Sequence, residues 1–198
     1  MKKIFGVLCL IVFATGANAG DAAKGQSAAA TCSACHGGDG NAVLPGAPSL
    51  AGQSEKYLIK QINDYKSGVR VNNQMQPMVA NLSDEDTANI AAFYAGQKIQ
   101  HMAVADEYIE AGNSLYMNGD ADRGIAACTA CHGVNGNGMA AAGFPALGGQ
   151  KADYTKAQLE AFRSGARSND ENNVMRDIVA KMSDEQIKVL SNYLVGLH

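Results

Sequence analysis

Two short segments of the sequence carry cysteine and histidine at a spacing that can hold a prosthetic group. The first is Cys32-Ser33-Ala34-Cys35-His36 and the second is Cys128-Thr129-Ala130-Cys131-His132. C-x-x-C-H is the attachment pattern of c-type haem, in which two thiols add to the vinyl groups of the porphyrin and the histidine binds the iron. The sequence therefore predicts two covalently bound haem c groups, attached through Cys32, Cys35, Cys128 and Cys131, with His36 and His132 as axial ligands.

Other uses of paired cysteines compete with this interpretation. A zinc site built from two C-x-x-C pairs would leave the histidine after each pair without a role. A thioredoxin-like redox site needs a βαβ context, and neither segment is flanked by strand-like sequence. Structural disulfides stay open, although they do not require a histidine at the same place twice. The repeated histidine favours haem.

Both motifs belong to a longer internal repeat. Between Pro48–Arg70 and Pro145–Arg167, nine of 23 positions are identical at a constant offset of 97. The repeat predicts two homologous domains, residues 20–102 and 103–198. The halves differ in two places, because residues Met117 to Gly124 form an insertion before Cys128 and the loop before Met175 is longer by three residues.

Each half has the pattern of a helical domain, so the predicted fold class is all-α. Long helices are expected at about 54–67 and 151–164, and Ser83 and Ser183 are predicted N-caps of the last helix of each half. Gln186 completes a capping box with Ser183. No segment gives a convincing strand pattern. Domains of this size have small cores, so a buried porphyrin would supply much of the apolar contact.

The repeat also selects a second iron ligand in each half. Met75 lies eight residues before Ser83, and Met175 lies eight residues before Ser183, a register that no other methionine pair keeps. A thioether is a neutral, soft ligand that favours Fe(II) and raises the reduction potential. Met75 and Met175 are therefore the predicted distal ligands.

Three of the remaining methionines and both remaining histidines receive other interpretations. Met78 and Met182 are expected to be packing residues, and Met139 is too close to His132 in the chain to reach the other face of the ring. His101 and His198 are expected to be surface residues.

Four residues near the motifs have two open interpretations each. Pro48 and Pro145 could offer a backbone carbonyl to the second ring nitrogen of His36 and His132, or they could be ordinary loop prolines. Arg70 and Arg167 could bind the haem propionates, because guanidinium matches carboxylate geometry, or they could be exposed at a helix end.

Residues 1–19 have the pattern of a cleaved signal peptide, with Lys2 and Lys3 before an apolar run and the segment Ala17-Asn18-Ala19 at the end. The apolar run is short for a transmembrane anchor. Two of the 16 basic residues lie in this leader, so the rest of the chain is more acidic than the net charge of −3 of the whole sequence. This excess of acidic over basic residues argues against nucleic acid as a partner.

Taken together, the two motifs, the P-x-L-x-G-Q-x-x-x-Y stretches and the Met-x7-Ser-Asp-Glu endings resemble the dihaem cytochrome c4 family over essentially all of residues 20–198. The resemblance implies two class I cytochrome c domains that face each other about a pseudo-twofold axis, with haem propionates near the interface. It also implies a periplasmic electron carrier from a quinol–cytochrome c reductase to a terminal haem–copper oxidase. We expect this carrier to be diffusible or loosely associated with the inner membrane.

The sequence alone leaves two other functions open. A dihaem peroxidase needs one iron that can open a coordination site, whereas both halves offer a methionine in matching register. A donor subunit that is bound permanently to a dehydrogenase or reductase is compatible with every feature of the sequence. The expected function is electron transfer and not catalysis.

Overall fold

The computed structural model describes residues 20–198, so the predicted signal peptide, residues 1–19, lies outside the described residues. Within 20–198 the regular elements are ten α-helices and three 3-10 turns, and extended backbone pairs only at two isolated bridges, Asp120 with Ile125 and Met139 with Phe144. The all-α prediction is confirmed. None of the helices in this range is long and apolar enough to cross a bilayer.

The helices follow the same order in both halves. The first half contains α1 (Ala22–Ala28), α2 (Ser33–His36), α3 (Glu55–Ser67), α4 (Met75–Val79) and α5 (Asp84–Ala95). The second half contains α6 (Asp106–Asn118), α7 (Thr129–His132), α8 (Ala152–Ser164), α9 (Val174–Val179) and α10 (Asp184–Tyr193), with 3-10 turns at Ala140–Ala142, Glu171–Asn173 and Leu194–Gly196. Each half thus has a leading helix, a single turn that bears the motif, a long helix, a short helix that contains the candidate methionine, and a closing helix.

The closing helices begin where the sequence predicts. The Ser83 hydroxyl accepts a hydrogen bond from the N–H of Asp86, and the Ser183 hydroxyl accepts one from the N–H of Gln186. Both helices have a complete capping box, in which the side chain of Asp86 or Gln186 accepts a hydrogen bond from the backbone N–H of the capping serine. The sequence predicts this box for Gln186 only. These caps satisfy backbone N–H groups that a helix start would otherwise leave without partners.

A close helix crossing closes each half. A Cβ added to Gly25 in α1 would lie 1.9 Å from the carbonyl oxygen of Asn89 in α5, and one added to Gly112 in α6 would lie 2.3 Å from Cβ of Tyr193 in α10. Only glycine permits this approach. The crossings fix the leading helix, and with it the motif, against the closing helix.

Two separate hydrophobic cores lie behind the crossings. The first core includes Leu58, Ile90, Phe93 and Tyr94, with Cys32 packed against it. The second core is larger and includes Leu159, Phe162, Ile187 and Leu190, with Cys128 and Met175 packed against it. Each motif is therefore positioned by its own half.

The two halves meet through contacts that obey a pseudo-twofold axis. Gln53 accepts a hydrogen bond from the N–H of Ala146 (3.0 Å) and donates to its carbonyl oxygen (2.6 Å). Gln150 does the same with Ser49, at 2.9 Å for both bonds. Gln150 is the repeat counterpart of Gln53, and Ala146 is that of Ser49, so each contact is the other with the halves exchanged. The pseudo-twofold arrangement implied by the resemblance is confirmed.

Candidate haem sites

The motif histidines are buried and oriented in the same way in both halves. His36 and His132 end the single-turn helices α2 and α7 and are 5% and 6% exposed. Nδ1 of His36 lies 2.8 Å from the carbonyl oxygen of Pro48, and Nδ1 of His132 lies 2.9 Å from that of Pro145. Since a carbonyl only accepts, Nδ1 donates and Nε2 carries the lone pair, which is the tautomer that a metal ligand needs.

Burial also keeps both imidazoles neutral. It lowers the pKa of His36 and of His132, and the hydrogen bond to the proline carbonyl opposes this shift only in part. A neutral imidazole is the form that binds a metal. Of the two open interpretations of Pro48 and Pro145, the structure therefore supports carbonyl acceptors.

None of the four motif cysteines forms a disulfide among residues 20–198. Cys32 and Cys128 are partly buried, and burial raises the pKa of Cys32 and raises that of Cys128 to about 11. Each pair stands beside a histidine whose Nε2 is available. In each motif a pair of thiols next to a buried imidazole matches the edge and the face of a porphyrin.

Met75 begins helix α4, and its backbone is anchored by the side chain of Asn72. The Asn72 Oδ1 atom accepts hydrogen bonds from the N–H groups of Gln74 (3.0 Å) and Met75 (2.9 Å). This turn satisfies the first N–H groups of the short helix and fixes where the methionine leaves the loop. The side chain of Met75 is partly buried.

Met175 is anchored differently, in the longer loop of the second half. The Asp170 carboxylate accepts hydrogen bonds from the backbone N–H of Arg176 (3.0 Å) and from its Nε (2.7 Å). Burial alone would raise the pKa of Asp170, but these two bonds hold it below its usual value. Asn172 and Asn173 adopt positive φ angles of 54° and 60° in the same loop, a conformation that asparagine tolerates better than most residues.

Of the two methionines that were predicted to be packing residues, one prediction is confirmed and one is wrong. Met182 is 6% exposed and belongs to the second core, as expected of a packing residue. Met78 is 51% exposed, so its interpretation as a packing residue is wrong. Helix α4 directs Val79, which is 4% exposed, into the protein instead.

Arg70 and Arg167 lie in a buried cluster between the halves, and their interpretation as exposed helix-end residues is wrong. They are 6% and 8% exposed. We call the following residues the interdomain arginine cluster: Tyr57, Gln61, Arg70, Tyr154, Gln158, Arg167 and Asn169.

Hydrogen bonds in this cluster cross between the halves in matched pairs. Arg70 donates to Tyr154 (2.9 Å) and Gln158 (2.7 Å), while Arg167 donates to Tyr57 (3.3 Å) and Gln61 (3.1 Å). Each guanidinium also bonds the glutamine of its own half. Burial alone would raise the pKa of Tyr57, but the positive charges of Arg167 and Arg70 hold it below its usual value.

No carboxylate pairs with either guanidinium among residues 20–198; their partners are amide and hydroxyl oxygens. A buried charge normally has a partner of opposite sign. Two buried cations at the interface therefore fit the carboxylates of a group that reaches in from each half. With the thiols and the oriented imidazoles, the residues present fit a covalently attached haem in each half.

Sequence reasoning missed Asn72, Asp170 and the two glycines at the helix crossings. Gln61 and Gln158 were visible as identical positions of the repeat, but their role was not. Identity at buried polar positions in both halves is the signal that could have found the cluster.

Comparison with known proteins defines the class first. The family model of cytochrome c matches twice, over residues 22–96 and 109–198, one match for each half. The chain is therefore a c-type cytochrome with two domains, an electron-transfer protein.

Full-length relatives then identify the family within the c-type cytochromes. Cytochrome c4 of Pseudomonas aeruginosa is 46% identical over 201 residues, and that of Azotobacter vinelandii is 44% identical over 210; both matches cover 100% of each chain. The crystal structure of reduced recombinant cytochrome c4 from Pseudomonas stutzeri matches with a TM-score of 0.88 at 45% identity, covering 91% of this chain and 100% of that one. The chain belongs to the cytochrome c4 family and carries two covalently bound haem c groups.

Proposed function

We propose that this protein is a periplasmic carrier that takes single electrons from a quinol–cytochrome c reductase and delivers them to a terminal haem–copper oxidase. Electron transfer follows from the family, whereas the compartment and the two partners are the proposal. The observation that carries it is the equivalence of the halves, since each has a buried histidine oriented by a proline carbonyl and a methionine in matching register. The signal-peptide pattern of residues 1–19 supports export.

The residue assignment is part of the proposal. In the domain 20–102, Cys32 and Cys35 hold the haem, and His36 and Met75 bind its iron. In the domain 103–198 the corresponding residues are Cys128, Cys131, His132 and Met175.

Each haem, when bound, supplies an iron that cycles between Fe(III) and Fe(II) by one electron. The protein's own part is to hold the ligands and limit reorganisation. The carbonyls of Pro48 and Pro145 fix the imidazole planes, while Asn72 and Asp170 fix the starts of the methionine helices. The interdomain arginine cluster holds the two halves in one relative position, which keeps the distance between their centres constant.

A carrier is favoured over a peroxidase by the methionines. Peroxide turnover needs an iron with an open position, and both halves provide a candidate sixth ligand on an anchored helix. Thioether ligation also raises the reduction potential, which suits an acceptor of electrons from quinol oxidation.

A second candidate donor comes from the relatives. The "thiosulfate dehydrogenase electron acceptor" of Stutzerimonas stutzeri is 39% identical, with 86% of this chain and 80% of the relative covered. A periplasmic dehydrogenase is therefore an alternative source of electrons for the same carrier, in place of the quinol–cytochrome c reductase.

Reduction kinetics of the oxidised protein distinguish these donors. One arm uses purified quinol–cytochrome c reductase with a quinol, and the other uses thiosulfate dehydrogenase with thiosulfate. We expect rapid reduction in the first arm, followed by reoxidation when the terminal oxidase and oxygen are added. Reduction in the second arm alone would overturn the proposed donor, and peroxide turnover at a substantial rate would overturn the carrier function.

The ligand assignment has a separate spectroscopic test. Met75→Ala should leave the first haem attached, because the thioether bonds and His36 are untouched, but it should remove the far-red sulfur-to-iron charge-transfer band of that haem. The potential of that haem should fall, and its ferrous form should bind carbon monoxide. Met175→Ala should do the same in the second half.

Met78→Ala is the matched control, because Met78 is on the same helix and is 51% exposed. It should leave the band and the stability nearly unchanged. If Met78→Ala removes the band of the first haem while Met75→Ala spares it, the assignment based on repeat register is wrong.

A further inference from the structure

His101 and His198 lie side by side on the surface, although 97 positions separate them in the chain. Their ring centroids are 5.3 Å apart and the ring planes are inclined by 53°. Both residues are exposed. They are the only histidines outside the two motifs, and neither has a part in the proposed haem sites.

The backbone around His101 is fixed on both sides. The N–H of Gln100 donates to Oδ1 of Asn41 in the first half (2.8 Å), and the N–H of Met102 donates to the carbonyl oxygen of Val195 in the second (2.9 Å). His101 therefore stands where the connection between the halves passes from one to the other. These two bonds hold the imidazole of His101 beside the end of the second half, so the backbone does not have to rearrange to bring it there.

One ring nitrogen of His198 forms a hydrogen bond to the protein backbone, as is usual for histidines that bind metals. Its Nδ1 lies 2.7 Å from the carbonyl oxygen of Gly196. Because the carbonyl accepts, Nδ1 holds the proton and Nε2 keeps a free lone pair. Histidines that bind metals in proteins usually donate their other ring nitrogen in this manner, which fixes tautomer and orientation.

The separation of the rings agrees with chelation of one ion. Metal–nitrogen bonds of imidazole are about 2.0–2.1 Å, so two imidazoles at a tetrahedral angle place their ring centroids about 5 Å apart. The observed separation of 5.3 Å lies close to that value. A tilted arrangement also directs the two nitrogens toward a common point better than parallel stacking does.

We propose that His101 and His198 form a surface site for a divalent transition-metal ion, which ties the interdomain connection to the end of the second half. Imidazole pairs suit Cu²⁺, Ni²⁺ and Zn²⁺, whereas Ca²⁺ and Mg²⁺ require oxygen ligands. Among residues 20–198 no group of three or more His, Cys, Asp or Glu side chains converges. The protein therefore supplies two ligands, water completes the coordination sphere, and exchange with solution is rapid.

The test uses the oxidised holoprotein with both haems in place. Titration with ZnCl₂ by calorimetry should give one ion per chain, and Cu²⁺ should show nitrogen hyperfine structure in its EPR spectrum, apart from the ferric haem signals. His101→Gln and His198→Gln should each weaken binding about tenfold or more, because each removes one of the two protein ligands. MgCl₂ should give no heat of binding.

A matched control keeps the number of surface imidazoles constant. Lys98→His in the His101→Gln background restores a histidine three residues earlier but not the pairing, and it should bind as weakly as His101→Gln. Haem absorbance and potentials serve as the check that all variants remain folded. The proposal is overturned if either single variant keeps the wild-type affinity, or if the control double variant recovers it.

Discussion

Gln61 is the acceptor on which the interdomain arginine cluster depends most. Its Oε1 atom receives hydrogen bonds from Arg70 (2.7 Å), Arg167 (3.1 Å) and Asn169 (2.9 Å), two of which come from the other half. The side chain is 8% exposed. Replacement by leucine keeps the approximate volume and removes the acceptor, so Gln61→Leu measures what the cluster contributes.

The expected loss of unfolding free energy can be calculated from the three donors. Hydrogen bonds from charged donors contribute about 1.5–3 kcal/mol each and a neutral bond about 1 kcal/mol, so the three bonds sum to about 4–7 kcal/mol. That sum is an upper bound, because both guanidinium groups keep Gln158 as an acceptor. We expect Gln61→Leu to lower the free energy of unfolding by about 3 kcal/mol, which corresponds to about 6–12 °C in the melting temperature.

The assay is guanidinium unfolding of the holoprotein, followed by far-UV circular dichroism, with two reference variants. Gln97→Leu removes a single bond, from Gln97 Nε2 to the carbonyl oxygen of Phe93 at 3.1 Å, and should cost less than about 1 kcal/mol. Gln61→Glu restores an acceptor, now charged, between the two guanidinium groups. At neutral pH it should be much more stable than Gln61→Leu.

The sign of the pH dependence of Gln61→Glu is fixed by the cluster. The two cations lower the folded-state pKa of the new carboxyl, so its stabilisation is present above the unfolded-state pKa and is lost as the pH falls through the lowered value. Equal losses for Gln61→Leu and Gln97→Leu, or no difference between Gln61→Leu and Gln61→Glu at pH 7, would refute the role given to this acceptor.

Four further predictions concern other parts of the molecule. Gly112→Ala should lower the melting temperature, because the new Cβ would lie 2.3 Å from Cβ of Tyr193. Gly165→Ala is the control for backbone strain alone, since nothing lies within 4 Å of its new Cβ but φ is +78°. Equal losses of melting temperature in the two variants would contradict the role of Gly112 in the helix crossing. The Met175 charge-transfer band should fade before that of Met75 as the pH falls through the pKa of Asp170, which lies below the ordinary aspartate value, because Asp170 then loses its carboxylate while Asn72 does not titrate. Simultaneous loss of the two bands would contradict the anchor, and Asp170→Asn should weaken the Met175 band already at neutral pH. Potentiometric titration should resolve two potentials, and a fit to one potential with two equivalent centres would count against inequivalent sites. Intact mass of periplasmic protein should correspond to a chain that begins at Gly20 with two haems, and an intact Met1 or a single haem would show the leader or the motif interpretation to be wrong.

Features that depend on local chemistry were predictable from the sequence. The attachment motif is set by the covalent bonds it must form, and the caps at Ser83 and Ser183 by the first N–H groups of a helix. The long helices begin and end close to the expected residues because the apolar pattern and the glycines at Gly68 and Gly165 are local signals. Register within the repeat singled out Met75 and Met175, whose role as ligands stays a prediction.

Features that depend on how segments meet were not predictable. The helix crossings at Gly25 and Gly112 escaped because the insertion of Met117 to Gly124 changes the offset between the halves, so the two glycines do not align at the offset of the longer repeat. The burial of Arg70 and Arg167 arises only when the halves face each other. Exposure of Met78 depends on which face of a helix of five residues is turned inward, and so short a helix has no clear periodicity.

The loop before the second candidate ligand shows how a repeated sequence produces two different sites. Asn72 and Asn169 are counterparts at the repeat offset, yet Asn72 anchors Met75 while Asn169 joins the interdomain arginine cluster. The three extra residues of the second loop separate Asn169 from helix α9, and Asp170 takes over the anchoring through Arg176.

In its new position Asn169 also meets a charged pair that only the first half possesses. It donates to Asp64 (2.6 Å), its carbonyl oxygen accepts from Lys60 (2.9 Å), and the counterparts of these two charged residues are Ala161 and Ala157. The interface is thus twofold in its glutamines, tyrosines and arginines but not in its acidic and lysine side chains. Because a partly buried charge is screened less than an exposed one, we expect this asymmetry to contribute to the difference between the two reduction potentials.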